Sequence, residues 1–429
     1  MVTLLFGAGA SVPFFDPVLN TTYLTERVCS KSEWDRVIKK YKGKKGEYAS
    51  IVSSCEVMRA TQAMRLFKPQ VTFEEIAEVL DKISSYGFDS RPTSNTINLL
   101  IHTVHSSMVK RVGNPFGPKW GDVPFLLREI IAEAILDLEN KHKKGEYQTL
   151  CVAQKGLIET LCRKDSHVSI VSLNYDDCLF DSLKGLDFEH GFRQSGGSPQ
   201  CQLDIGLFMR APKVIYFPHG QLRFQFIDNG QVTYWDDSNK ANEERWKKLE
   251  IGTLGSSITL LPGKFAYHYN TFIVTGQTKD DALNAIPYSV YYQRLAIDLY
   301  KSDTIFIIGY SFGDNHINRL LMSFLKTDVR HTVMVVDYYG EPVSMTKEYA
   351  DQSNILSKLH NWFSTAWDLS ASDGGKVAYM YGDEVNCINE TGYGWIFKQV
   401  MFYKRGYASF LKEYGEVMKY MEDNPLPRE

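Results

Sequence analysis

The hydrophobic positions of the chain follow two periods. Val2-Thr-Leu-Leu-Phe6 is a short apolar, partly β-branched run that ends in Gly7-Ala-Gly-Ala-Ser11, which predicts a buried strand entering a tight glycine turn. From about residue 20 to 164 the spacing becomes helical. The clearest stretch is Thr72-Phe-Glu-Glu75, a capping box, followed by Ile76, Val79, Leu80 and Ile83 on one face. Another helix is expected from Pro124, after Asp122, and the lysine-rich pieces Lys39–Lys45 and Lys141–Lys144, with glycine close by, read as solvated loops. Strand patterns return at 168–173, 213–217, 304–308 and 332–336, with helical stretches at 288–301 and 314–327. Leu222 to Phe226 and Gln231 to Trp235 flank Asp228-Asn-Gly230 and predict a small hairpin.

Strands that alternate with helices imply a parallel sheet. The fold class expected is therefore α/β, a Rossmann-like parallel sheet with a large helical insertion and a helical C-terminal region. Residues 1–19 and 165–345 form the discontinuous sheet domain, 20–164 the insertion and 346–429 the tail. The tail is rich in aromatic residues, with Trp362, Trp367, Trp395, Phe397, Phe402, Tyr403, Tyr407, Phe410, Tyr414 and Tyr420. They suit either an ordinary helical core or an interface to a partner or a second copy.

Composition narrows the function classes. With 429 residues, 44% hydrophobic and 13% aromatic, the chain can bury a large core and is not a disordered protein. Lys and Arg total 48 against 51 Asp and Glu, a net charge of -3, so no overall field favours nucleic acid. The cysteines, at 29, 55, 151, 162, 178, 201 and 387, are odd in number and never spaced Cys-x-x-Cys, which speaks for a reducing compartment without a disulfide framework or a four-cysteine zinc site. Val2–Phe6 is too short for a signal-peptide core, and no apolar stretch approaches the roughly 20 residues that span a bilayer. A soluble, cytoplasmic protein without membrane contact is expected.

Four segments could carry chemistry. Gly7, Ala8, Gly9, Ala10 and Ser11 leave room for backbone N–H groups to approach a pyrophosphate, although an ordinary turn after a core strand uses the same residues. Val12 stands where the dehydrogenase fingerprint needs a third glycine, and Pro13-Phe-Phe15 follows, which disfavours hydride transfer. Ser172-Leu-Asn-Tyr-Asp-Asp177 places Asn174 and Asp176 at a strand's carboxyl end, where α/β proteins open their ligand crevice; Asx residues there also make simple turns. Pro218-His219-Gly220 brings a histidine, suited to proton transfer near neutral pH, to the end of the next strand. Gly309-Tyr-Ser-Phe-Gly-Asp-Asn-His-Ile-Asn318 is the most specific stretch: Gly309, Tyr310, Ser311 and His316 suit a ribose-bearing or anionic ligand, while Asp314 also fits a cap for the helix that follows. Asp337, after the strand at 332–336, reads equally as a ribose acceptor or an acidic loop residue.

Taken in order, Gly-Ala-Gly-Ala-Ser, Asn-Tyr-Asp, His-Gly and Gly-Tyr-Ser-Phe-Gly-Asp-x-His-Ile-Asn resemble the sirtuin-like NADase domains of bacterial anti-phage defence proteins. Phe73-Glu-Glu-Ile76, Phe272-Ile-Val-Thr-Gly276 and Ile286-Pro-Tyr288 extend the resemblance over residues 2 to about 340. It implies that Gly7, Ala8, Gly9 and Ser11 cradle the phosphates of NAD, that Asn174 and His219 act at the nicotinamide ribose, that Asp176 faces the carboxamide, and that Gly309 and Ser311 line the adenosine half. The chain departs from protein-deacylating sirtuins in having no zinc-ribbon cysteines and no Arg in Pro13-Phe-Phe-Asp16, so neither zinc nor deacylation is expected.

The implied activity is hydrolysis of NAD+ to nicotinamide and ADP-ribose, an antiviral effector function that depletes NAD+, with NAD+ as substrate and no further cofactor. Such an enzyme would stay silent until a phage cue or a partner assembles its site; a homo-oligomer is expected, and a partner ATPase or DNA translocase in a two-component system suits such a chain. The alternatives are a non-hydrolytic subunit that senses NAD or ADP-ribose, and a deacylase or ADP-ribosyltransferase acting on a macromolecule.

Overall fold

The computed structural model describes residues 1–45, 51–86, 122–194, 201–226, 232–250, 256–261, 264–269, 272–275, 286–327, 331–340, 388, 390–397 and 400–424. The order begins with β1 (Val2–Phe6), α1 (Thr21–Val28), α2 (Lys31–Lys45), α3 (Ser54–Phe67), α4 (Phe73–Tyr86), α5 (Val123–Lys141) and α6 (Tyr147–Lys164). It continues with β2 (Val168–Ser172), α7 (Cys178–Leu183), β3 (Phe192–Gln194), β4 (Cys201–Leu203), α8 (Ile205–Arg210), β5 (Lys213–Tyr216), β6 (Phe224–Phe226), β7 (Val232–Tyr234) and α9 (Ser238–Glu250). The last elements are β8 (Ser256–Leu261), β9 (Lys264–Tyr269), α10 (Tyr288–Lys301), β10 (Thr304–Ile308), α11 (Asn315–Thr327), β11 (Thr332–Val336), β12 (Tyr393–Phe397), β13 (Val400–Tyr403) and α12 (Tyr407–Asp423).

One sheet of seven strands has the order β12-β13-β11-β10-β1-β2-β5, parallel throughout except for the edge pair β12 and β13. The fold is α/β. Every residue of β1, β2 and β13 is buried, as a parallel sheet covered on both faces demands, which is why these strands read as unbroken apolar runs. Numbered by chain position, the five strands from β5 to β11 lie in the order 3-2-1-4-5, so the direction of strand addition reverses between β1 and β10. A crevice opens at such a reversal, outside the carboxyl ends of the strands. The expected hairpin is present as β6 paired antiparallel with β7 within a second sheet, β3-β4-β7-β6; its turn, Asp228-Asn-Gly230, lies outside the described residues.

The structure departs from the sequence reading at three places. Lys39–Lys45 is not a loop but the second half of α2, because Trp34, Val37, Ile38 and Tyr41 bury one helical face and Lys40 lies 4.0 Å over the Trp246 ring. The tail is not simply helical: β13 extends the parallel sheet beside β11, and β12 closes its edge. Phe402, Tyr403, Tyr407 and Phe410 are core residues there, with Tyr407 edge-on to Phe6 and Phe410 against Phe306 and Tyr403; Trp362 and Trp367 lie outside the described residues. Finally, the helices before β2 do not pack as one block. Helices α1, α2, α4 and α5 pack on one another, and α3 on α2, whereas α6 packs on α7 and α12.

The junction of α6 and α7 is held by Asp181, which accepts hydrogen bonds from Tyr147 Oη at 2.7 Å, Lys184 Nζ at 2.8 Å and Lys143 Nζ at 3.1 Å. Burial alone would raise this carboxyl, but the three donors outweigh it and bring it down to about 2. A depressed carboxylate contributes stability above its unfolded value and loses it as pH falls through the folded one. Since the group is partly solvated, Asp181→Asn is expected to cost about 1 kcal/mol at neutral pH. Denaturant titrations at several pH values should show that difference disappearing on acidification toward pH 2; a difference independent of pH would refute the assignment.

Among the described residues no helix is long and apolar enough to cross a membrane.

Candidate functional site

Register alone brings five segments to one edge. Phe6 is level with Ser172 on one side and Ile308 on the other, Ile308 is level with Val336, and Val171 with Tyr216. The residues that follow these strand ends, Gly7, Asn174, His219, Gly309 and Asp337, therefore emerge side by side, and all line one cavity of about 900 Å³. Helix α4 and the start of α1 form its opposite wall. That volume is in the range of small-molecule and cofactor sites. Of the residues singled out in the sequence, Gly7, Ala8, Gly9, Ser11, Asn174, Asp176, His219, Gly309, Tyr310, Ser311, Asp314 and His316 line it, and Ala10 does not.

The glycine turn is built differently from the phosphate cradle expected of it. No α-helix follows: Ala8–Ala10 and Val12–Phe14 are two short 3₁₀ turns, with Pro13 inside the second. Gly7 N donates to Ile308 O at 2.9 Å, Gly9 N to Gly309 O at 2.8 Å, Ala10 N to Gly7 O at 2.9 Å and Ser11 N to Ala8 O at 3.1 Å. These amides are engaged within the protein, and Ala8 is the exposed residue of the turn. The glycines answer a packing need as well as any ligand: a Cβ on Gly309, whose φ is +59°, would sit 2.3 Å from Ala10 N, and one on Gly7 would sit 2.6 Å from Gly309 O. Buried Ala10 thus supports Gly309 from behind. Gly309→Ala combines a strained backbone with overpacking and should destabilise by about 3 kcal/mol. Guanidinium unfolding checks this, and a loss under about 1 kcal/mol would mean that the two turns separate freely.

Asn174 is fixed by its amide. Its Nδ2 donates to Gly7 O and to Ser11 Oγ, both at 2.8 Å, and since a carbonyl only accepts, the nitrogen must face the turn. Ser11 Oγ passes its own hydrogen to Asp176 Oδ2 at 2.6 Å, and Asp176 Oδ1 accepts from Cys178 N at 3.1 Å. Burial raises the Asp176 carboxyl, and the hydrogen bonds from Ser11 and Cys178 counter only part of this. Both of its oxygens already hold protein donors.

His219 is 5% exposed, and its Nε2 lies 2.8 Å from Asp314 Oδ2. At that distance the Asp314 carboxylate forms an ion pair with the ring whenever the imidazole is protonated. Gly220, at φ +81°, sharpens the turn, and Val274 N donates to His219 O at 2.8 Å. Asp314 caps its helix, as expected, and also meets the histidine. Its Oδ1 caps α11 by accepting from His316 N at 2.8 Å and Ile317 N at 3.2 Å, while Oδ2 faces the histidine. Asn318, the last residue of the motif, locks the turn: its Oδ1 accepts from Tyr310 Oη and its Nδ2 donates to Phe312 O, both at 2.8 Å. Phe312 is held there at φ +54°, the positive-φ non-glycine residue of this segment.

No protein-family model and no curated protein matches this chain.

Sequence reasoning missed the far wall. Glu74 and Glu78 of α4, Phe73, Tyr175 and Asn20 to Thr22 also line the cavity. The capping box at Thr72 marked the start of α4, with Thr72 N donating to Glu75 Oε2 at 2.9 Å and Glu75 N to Thr72 Oγ1 at 3.3 Å, but nothing local told which way Glu74 would face. The orientation comes from Arg128, buried in α5. It donates to both oxygens of Asp81 on α4 at 2.9 Å, to Pro124 O at 2.9 Å, to Ile273 O at 3.2 Å and to Thr275 O at 3.4 Å. One guanidinium therefore joins α4 to the segment that holds the His219 turn.

Proposed function

We propose that the chain is a sirtuin-like NAD+ glycohydrolase that releases nicotinamide and ADP-ribose, serving anti-phage defence by depleting NAD+. The observation that carries this reading is the convergence of Asn174, Asp176 and His219 with the turns at Gly7 and Gly309 in one cavity at the strand-order reversal of a parallel sheet.

The chemistry asks little more. Nicotinamide leaves a pyridinium as a neutral molecule, taking the electron pair of the glycosidic bond, so the paired carboxylates of ordinary glycosidases are not required. What remains is to steady an oxocarbenium-like ribose, hold a water at its anomeric carbon and accept the water's proton as the new C–O bond forms. Asn174, with its nitrogen tied to Gly7 and Ser11, offers Oδ1 for positioning a hydroxyl or water. His219 accepts the proton, and the Asp314 carboxylate 2.8 Å away balances the imidazolium that results.

The test is release of nicotinamide and ADP-ribose from NAD+ by the purified chain, alone, at high concentration and with candidate partner ATPases, beside Asn174→Ala. Product from the native chain that vanishes in the variant supports hydrolysis at this site. NAD+ that binds but stays intact under every oligomeric condition sinks the hydrolase reading and leaves a nucleotide-sensing subunit.

A further inference from the structure

The side chain of Asn174 has one freedom left. The backbone around it is held, with Leu173 N donating to Phe6 O at 2.9 Å and Asn174 N to Ser172 Oγ at 3.2 Å. The terminal torsion of an asparagine is two-fold, and its two orientations differ in which of Oδ1 and Nδ2 faces a given partner. Here the partners are Gly7 O and Ser11 Oγ, both 2.8 Å from the same atom. A carbonyl only accepts, so Gly7 favours the nitrogen there. A serine hydroxyl is indifferent, since it can donate to Oδ1 as well as it can accept from Nδ2.

Asp176 removes that indifference. A carboxylate only accepts, and its Oδ2 takes the one hydrogen of the Ser11 hydroxyl at 2.6 Å, while its Oδ1 is occupied by the Cys178 N–H at 3.1 Å. With that hydrogen committed, Ser11 Oγ has only lone pairs to offer Asn174. Ser11 is 3% and Asp176 4% exposed, so bulk water competes little for either group. The donors therefore run in one direction, from Asn174 to Ser11 to Asp176, and Oδ1 is the end of the Asn174 amide that this chain of bonds leaves unused.

We propose that Asp176 is a positioning residue, which acts through Ser11 to fix which end of the Asn174 amide is offered to a ligand, instead of meeting the carboxamide of a bound nucleotide. This rests on the reading of Asn174 Oδ1 as the group that holds a hydroxyl or water during NAD+ hydrolysis. Asp176→Asn is the change that separates the two roles. The fixed N–H of Cys178 claims the oxygen of the new amide, so its NH2 group turns to Ser11 Oγ. The Ser11 hydrogen then either lacks an acceptor or goes to Asn174, and the second course turns that amide over and sets its Oδ1 against Gly7 O.

Two readouts on the full chain test it. Selective 15N labelling of asparagine follows the side-chain amide of Asn174, assigned by its loss in Asn174→Ala. Its protons, held by Gly7 O and Ser11 Oγ, should exchange slowly with solvent in the native protein and at least about 10-fold faster in Asp176→Asn. Nicotinamide release should lose at least about 10-fold in kcat in that variant, with KM within about threefold of the wild type. Added to Ser11→Ala, Asp176→Asn should cost less than about twofold more, because the carboxylate acts through that hydroxyl. Amide exchange unmoved in a folded Asp176→Asn protein overturns the proposal, as does a loss that falls on KM or one that adds in full to that of Ser11→Ala. If the native chain releases no nicotinamide, the glycohydrolase reading fails, and amide exchange decides the role of Asp176 by itself.

Discussion

His219→Ala protein is expected to bind NAD+ within about threefold of the wild type but to release nicotinamide about 10³-fold more slowly. The expectation follows from where the ring sits. It is buried at the carboxyl end of β5, its carbonyl is anchored by Val274, and its Nε2 faces Asp314, so truncation removes the proton acceptor without disturbing the backbone that shapes the cavity. A positioned general base contributes about 10²- to 10⁴-fold, and the middle of that range is taken because the leaving group needs no proton of its own. Single-turnover nicotinamide release and equilibrium binding measure the two quantities separately. If turnover persists within about fivefold of wild type, another group takes the proton and the mechanism above is wrong.

The largest effect on stability is expected at Arg128. It is 1% exposed, and Arg128→Ala takes the bidentate guanidinium from Asp81, 3% exposed, and one donor from each of the carbonyls of Pro124, Ile273 and Thr275. Removing one partner of a buried ion pair destabilises by about 3–5 kcal/mol. Arg128→Met combined with Asp81→Leu should recover part of that loss, because it removes the buried carboxylate but restores no donor to the three carbonyls. Guanidinium unfolding of the single and double variants decides the matter. A single variant that loses less than about 1 kcal/mol would show that water enters and solvates Asp81.

Much of the sheet was legible because a parallel strand leaves a local mark: β1, β10 and β11 begin and end where the apolar runs do. Strand ends then located the chemistry, since Asn174, His219, Gly309 and Asp337 each follow one. What escaped was non-local. Val400-Met-Phe-Tyr403 is as apolar as β11, but its place beside that strand depends on a chain return from 336 to 400 that no window of sequence contains. Lys39–Lys45 was misread because lysines obscured the period set by Trp34, Val37, Ile38 and Tyr41. The capping box gave the start of α4 but not the direction of Glu74, which is set by the contact between Asp81 and Arg128, 47 residues apart. The glycines were read as room for a ligand, and the structure adds the main chain of the opposite turn as a neighbour that no side chain could tolerate.

The lacing of those turns bears on how readily this crevice can change its chemistry. Its floor is main chain bonded to main chain, Gly7 to Ile308, Gly9 to Gly309 and Gly309 to Val336. Such a floor depends on three small residues and is indifferent to the identity of the groups above it. The rim, in contrast, is assembled from side chains on α4, on the turns after β2 and β5, and at the head of α11. Substitution in the rim therefore leaves the floor in place, which makes the protein a forgiving starting point for laboratory evolution of this crevice, provided Gly7, Gly9 and Gly309 are kept out of the library.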